Sequence, residues 1–283
     1  MTPLELGRVG LWRPYPLVTP DEAAAVERLG YGAIWLGGSP PADLSSVESL
    51  LAATDRLVIA TGVVNIWTAP AAEVAESYHR IEAAYPGRFL LGVGVGHPEA
   101  QGAAYRKPYQ AQVDYLDALD AGGVPAARRA LAALGPRMLE LARVRTIGAH
   151  PYLTTPEHTR KARELLGAGV LLAPEQKIVL DTDPARARVV GRAAVENPYL
   201  HLVNYVNNLK RLGFTDGQLS NGGSDEVIDA LVAHGDAQTV ASRVRAHLEA
   251  GADHVAVQVL PMTDDPLPAL EALSQQWADL RSG

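Results

Sequence analysis

The chain of 283 residues contains no cysteine, which excludes disulfides, thiolate metal sites and cysteine nucleophiles. It has no apolar run of about eighteen residues or more, so no segment reads as a membrane-spanning helix. Its N-terminal stretch, MTPLELGRVGLW, has neither a basic leader nor a long apolar segment, and a cytoplasmic protein is expected. Positive charge is scarce and scattered: 25 Lys and Arg stand against 32 Asp and Glu, a formal net charge of −7. Such a surface is a poor partner for nucleic acid or for an anionic membrane. Phenylalanine is nearly absent, with two residues, yet 47% of the chain is hydrophobic, enough for a large core. No linker or composition break divides it, so one domain over 1–283 is expected.

Short β-like runs alternate with helical patterns. Val9–Trp12 reads as a first strand, and Thr19, Pro20, Asp21 and Glu22 open a helix with a cap, a proline at its first position and acids in its first turn. Ala33–Leu36 is a second strand and 44–54 a helix. Leu57–Ile66 is one continuous apolar run, typical of a parallel strand covered on both faces. Ala71–Tyr85 is a helix, followed by a strand from Phe89 to Gly96. Arg128–Leu134, Ile147–His150, Lys177–Leu180 and His254–Leu260 complete the strands, with helices over 136–144, 238–251 and 268–280. Repeated β-then-α units over this length predict an α/β fold, a (β/α)8 TIM barrel. Two helical stretches, Pro184–Leu212 and Asp225–His234, predict a helical insertion over 184–235 before the last strand.

The segment FLLGVGVGHP, Phe89–Pro98, is the most informative part of the chain. Glycine contributes no packing and costs conformational entropy, so Gly92, Gly94 and Gly96 imply close approach by a backbone or a flat ligand, or else a bulge. A nucleotide fingerprint fails, because His97 and Glu99 stand where its third glycine would be. In a barrel the chemistry gathers where strands end, here Trp12, Gly38, Ser39, Val64, Asn65, Val95, Gly96, His97, Gly148, Ala149, His150 and the stretch 258–262. No Asp, Glu or H-x-H motif stands at these ends, which disfavours a metal site and paired-carboxylate glycoside cleavage. A Schiff-base lysine has one candidate, Lys177, which reads instead as a partly solvated residue near a strand start. What remains is a flat, mostly apolar slot for a heterocycle that carries the chemistry itself. With Gly92, Gly94 and Gly96 giving clearance to the edge of a flat ring, His97 would stand beside it.

GYGAIWLGG (30–38) and IATGVVNIWTAPAAEVAESYHRIEAAYPGRFLLGVGVGHPE (59–99) resemble the bacterial luciferase-like monooxygenases, specifically the branch that uses coenzyme F420. GAHPYLTTPEH (148–158) and NYVNNLKRLGF (204–214) resemble a subgroup of F420 oxidoreductases. The resemblance implies an oxidoreductase that exchanges hydride between F420 and a small organic substrate, with an FMN-dependent monooxygenase or a non-catalytic (deaza)flavin-binding protein as alternatives. It implies a ring lying over strand three, with a non-prolyl cis peptide at Gly62–Val63 and Val64 and Asn65 beside it. It further implies that Val95, Gly96 and His97 border the ring, while Gly148, Ala149 and His150 meet the ribityl-phosphate side. Thr154 or Thr155 could present a helix N-terminus to an anion, or serve as a plain cap. Members of the branch often carry an Asp-His pair after strand two. This chain has Gly38-Ser39, which leaves His97 as the candidate catalytic acid. Trp12, Trp67, Tyr105 and Tyr109 are candidates for shaping the substrate pocket. A homodimer through 44–54 and 71–85 is expected by the same resemblance.

Overall fold

The computed structural model describes residues 4–97, 99, 102 and 106–277. Eleven parallel strand segments follow in chain order: β1 (Val9–Pro14), β2 (Ala33–Gly37), β3 (Val58–Thr61), β4 (Val64–Asn65), β5 (Phe89–Gly94), β6 (Arg129–Leu131), β7 (Gly148–Ala149), β8 (Leu171–Leu172), β9 (Glu175–Val179), β10 (Val232–His234) and β11 (Val255–Val259). β1, β2, β3, β5, β6, β7 and β8 pair in succession, and β9 pairs with β11, which pairs with β1. The ring closes across Ala173 and Pro174: Ala173 N donates to Ala149 O at 2.9 Å, and Ala256 N to Pro174 O at 2.9 Å. β8 and β9 are thus two halves of one barrel strand, as are β3 and β4, and the fold is the expected TIM barrel.

Alternation along the strands builds two layers. In β2, Ala33 and Trp35 join an interior cluster with Trp12, Val58, Ala60, Leu90, Ala130 and Ala256. Their neighbours Ile34 and Leu36 join the larger cluster under the surrounding helices. The helix Pro20–Arg28 begins as read, with the Thr19 hydroxyl accepting the Glu22 N–H at 3.1 Å.

Several expectations change. The run 57–66 is not one strand. The Gly62–Val63 peptide is cis, as the resemblance implied, and separates β3 from β4. At that gap the Thr61 hydroxyl replaces the interrupted ladder, bonding both the Gly92 N–H and the Gly92 carbonyl at 2.8 Å. Strand 89–96 ends at Gly94, and strand seven extends back to Leu171. The insertion is not two long helices: it runs through Pro184–Glu196, a short turn Tyr199–His201, Val203–Arg211, Asp216–Leu219 and Asp225–Leu231. Pro198 and Gly213 stand at two of these breaks, where neither residue favours continued helix. Residues 232–234 are not helix but β10, which extends the sheet beyond β9 with Val232 opposite Lys177. The C-terminal helix spans Leu267–Ser274, and the stretch 278–280 of the expected one lies outside the described residues.

Candidate active site

A cavity of about 660 Å³ opens at the C-terminal end of the barrel strands. That is the size of a site for a sizeable organic ligand and the end of the barrel where chemistry is found. One wall is the barer one, with Gly38, Gly62 and Gly96 among small side chains. Gly38 and Ser39, both with positive φ (79° and 57°), turn the chain sharply after β2. Gly62, Val63 and Asn65 line the next stretch, and Val95, Gly96 and His97 the one after β5. The Asn65 carboxamide accepts the Trp67 N–H at 3.0 Å, and the Trp67 indole donates to the Val95 carbonyl at 2.7 Å, tying the two stretches together.

The opposite wall is aromatic and polar. Tyr152, Tyr199 and Tyr205 line it with Asn204 and Met262, and Tyr109 and Arg137 stand at the edge, the guanidinium 4.5 Å from the Tyr109 ring centroid. Immediately behind lies a charged cluster. Lys177 Nζ is 3.2 Å from Glu175 Oε1 and donates to Gln258 Oε1 at 2.9 Å, while lying 3.9 Å above the Tyr152 ring. Tyr152 OH donates to the same Gln258 oxygen at 2.8 Å, and Tyr199 OH to Tyr152 OH at 3.1 Å. Glu175 Oε2 accepts the Leu153 N–H at 3.0 Å. Burial pushes Glu175 up and Lys177 down, both toward neutrality, while their mutual attraction opposes it. Burial also holds the Tyr199 phenol up at about 12, so it stays a neutral donor.

Three buried nitrogens on the cavity lining have no hydrogen-bond partner: Trp12 Nε1, His97 Nδ1 and His150 Nε2. Natural interiors pair such atoms, so their concentration here points to a ligand. Burial lowers the His97 pKa, with the Asn204 side chain and the Glu99 carboxylate acting in the opposite sense. His150 stacks on Trp35 (centroids 4.0 Å, 10° between planes), and burial lowers its pKa to about 3.

Of the residues singled out from the sequence, the structure brings Gly38, Ser39, Gly62, Val63, Asn65, Val95, Gly96, His97 and His150 to this one cavity, with Trp12 and Tyr109. Val64, Gly148, Ala149 and Thr154 are buried and do not line it. A Cβ on Gly148 would lie 1.9 Å from Leu171 O, so that glycine serves the contact between β7 and β8. Thr155 caps the helix Pro156–Leu166 through His158 N at 3.2 Å. Trp67 acts through the bonds just described, and Tyr105 lies outside the described residues.

Two readings of the sequence need correction. Gly92 and Gly94 do not clear space for a ring: their Cβ atoms would meet Thr61 O at 1.9 Å, and Val63 Cγ2 and Ala132 Cβ at 2.8 and 2.9 Å. They admit the neighbouring strand where it bulges, and of the three glycines only Gly96 lines the cavity. Lys177 is not partly solvated but 1% exposed, because Glu175 and Gln258 satisfy it inside the barrel. Sequence reading missed Glu175 and the three tyrosines, and had Gln258 only as part of the strand end 258–262. The stretch EQKIV carried the available signal: three polar residues in a strand that must be buried on both faces.

The family model described as luciferase-like monooxygenase matches residues 18–122, which bears out the resemblance to that family over this stretch without separating its F420 branch. No curated protein matches the sequence. An F420-dependent secondary alcohol dehydrogenase in complex with an F420-acetone adduct superposes with a TM-score of 0.74 at 14% identity, over 98% of this chain and 99% of that one. A coenzyme F420-dependent tetrahydromethanopterin reductase from Methanopyrus kandleri gives 0.71 at 16%, over 95% and 98%. The oxygenating constituent of the 3,6-diketocamphane monooxygenase of Pseudomonas putida, in complex with FMN, gives 0.69 at 14%, over 98% of each. At such identities the likeness is one of fold. The family match, to monooxygenases, supports an oxidoreductase.

Proposed function

We propose that this chain is an F420-dependent oxidoreductase acting on a small organic substrate. The observation that carries the reading is one cavity, large enough for a flat coenzyme and a substrate, lined by Gly62 and Gly96 with the small side chains of Val63, Asn65 and Val95 and by Tyr152, Tyr199 and Tyr205. Gly62 and Gly96 are the cradle, and Val63, Asn65 and Val95 would hold the ring from the barrel side. Bound F420 supplies a ring carbon that accepts or donates hydride. The protein positions the substrate, excludes water with its tyrosines and moves the accompanying proton.

His97 is the group for that proton. It stands at the end of β5 on the cavity lining, with its Nδ1 unpartnered. Its lowered pKa makes it neutral at pH 7, so it accepts a proton during substrate oxidation and returns it during reduction.

Titration of the purified protein with F420 and FMN, each oxidised and reduced, tests the reading. Preferential tight binding of F420 is expected. Preference for a form of FMN would instead favour a flavin monooxygenase, as in the FMN-bound neighbour. F420 binding without hydride exchange across a broad substrate panel would favour a binding protein. We further propose a homodimer through the helices Ser45–Ala52 and Ala71–Ala84, for which light scattering should give twice the monomer mass.

A further inference from the structure

Tyr152, Tyr199 and Tyr205 all line the cavity, and the hydrogen bonds behind them decide what each can offer to a bound molecule. Lys177 has only protons to give, so the Gln258 atom 2.9 Å from its Nζ is the carboxamide oxygen. That oxygen only accepts, and the Tyr152 hydroxyl at 2.8 Å therefore donates to it. With its one proton spent, Tyr152 can only accept from Tyr199, whose hydroxyl lies 3.1 Å away. Two of the three phenolic protons are thus used inside the protein. The third is free. Tyr205 is 5% exposed, yet its hydroxyl has no hydrogen-bond partner among the described residues, and unlike Trp12 Nε1 and His150 Nε2 its oxygen is open to the cavity. Burial holds its pKa well above the ordinary 10, so it keeps its proton. Its ring stands edge-on to Tyr199, centroids 5.0 Å apart at 77°, and 5.4 Å from the ring of His97.

We infer that Tyr205, on the insertion helix Val203–Arg211, is the specificity-determining residue of this wall: its O–H donates to a hydrogen-bond acceptor atom of the substrate, while Tyr152 and Tyr199 have no proton to offer. The inference rests on the reading of this cavity as an oxidoreductase site. A nearly buried phenol with an unspent proton is costly until a bound molecule accepts it. A substrate that presents only C–H groups at this point leaves the proton unpaired and is selected against. The buried Glu175, Lys177 and Gln258 gain a purpose in the same arrangement. They fix the direction of every bond from Lys177 out to Tyr199, so that the wall carries one donor at one place. The contact lies beside His97 and serves to place the substrate there, whereas the proton that accompanies hydride is left to His97.

The test uses the full chain without coenzyme and two flat probes of matched shape, benzonitrile, which ends in an acceptor nitrogen, and phenylacetylene, which does not. Benzonitrile should bind about tenfold more tightly, and its nitrile stretch should move to higher frequency on binding, as it does when the nitrogen accepts a hydrogen bond. In Tyr205→Phe the preference should fall to within about twofold and the frequency shift should vanish. Both should survive in Tyr199→Phe, which removes a hydroxyl whose proton is already spent. The unfolding midpoint of Tyr205→Phe should equal that of the native protein, because no bond within the protein is lost. Absent or equal binding of the two probes to the native protein, a preference or shift that survives in Tyr205→Phe, its loss in both variants alike, or a lowered midpoint in Tyr205→Phe would overturn the proposal. The coenzyme also carries acceptor atoms, so F420 affinity is compared in parallel. It should stay within about twofold in Tyr205→Phe, and a tenfold loss would give the hydroxyl to the coenzyme and end the substrate assignment. Failure of the coenzyme reading itself would be seen separately, as a preference of the native protein for FMN over F420.

Discussion

The two sides of the barrel mouth are built by opposite means. At the ends of β2, β3, β4 and β5 the wall is the barer one, shaped by Gly38, Gly62 and Gly96 among small side chains and held by hydroxyl and amide bonds from Thr61 and Asn65. Along β9 and β11 the polar side chains Glu175, Lys177 and Gln258 are fully buried and satisfy one another behind a tyrosine wall. The first side makes room and the second makes a fixed polar surface. A flat ring needs clearance along its face, whereas a small substrate needs directional groups held rigidly. Under the proposed function the coenzyme would take the first side and the substrate would meet the second.

Removing one partner of the buried pair should do the most damage. Lys177→Met strands the Glu175 carboxyl inside the barrel and should cost about 3–5 kcal/mol in denaturant unfolding. Glu175→Gln with Lys177→Met should cost less than Lys177→Met alone, because no uncompensated charge remains; a double variant as unstable as the single would mean that packing, not charge, governs this side. His97→Gln should slow hydride exchange by about a hundredfold or more while coenzyme affinity changes little. In the oxidative direction the native rate should rise with pH through the lowered His97 pKa, below the ordinary 6.5, and level off above it, because the neutral imidazole is the active form. That limb should vanish in His97→Gln. On the barer side, Gly92→Ala drives a methyl group into Thr61 O and should destabilise the fold by about 1–3 kcal/mol. Glu157→Ala, at an exposed carboxylate bonded to Arg160, should leave the unfolding midpoint unchanged.

The two sides were not equally legible in the sequence. The barrel follows from alternating runs such as Ala33–Leu36 and Ile59–Thr61, whose β-branched and apolar residues suit strands covered on both faces. The barer wall was legible because a glycine or a left-handed turn is a property of the chain itself, visible at Gly38, Gly62 and Gly96. Even there the reason for Gly92 and Gly94 was hidden, since what fills their space, Thr61 O and Val63, comes from another strand. The polar side was illegible for the same reason in stronger form. Glu175, Gln258 and Tyr152 lie up to 106 residues apart and gain meaning only when β7, β9 and β11 bring them together. A lone lysine in EQKIV looks solvated until its partners are known. Likewise, Pro198 and Gly213 break the helical pattern of 184–212, but no local signal shows that 232–234 pairs with β9.

The most direct test is hydrogen–deuterium exchange with and without saturating F420. Coenzyme lying against the barer wall should slow exchange in peptides covering 58–67 and 89–97, with smaller changes at 171–180. Protection confined to 152–180, with 58–67 and 89–97 unchanged, would contradict the assignment of the ring to the barer wall.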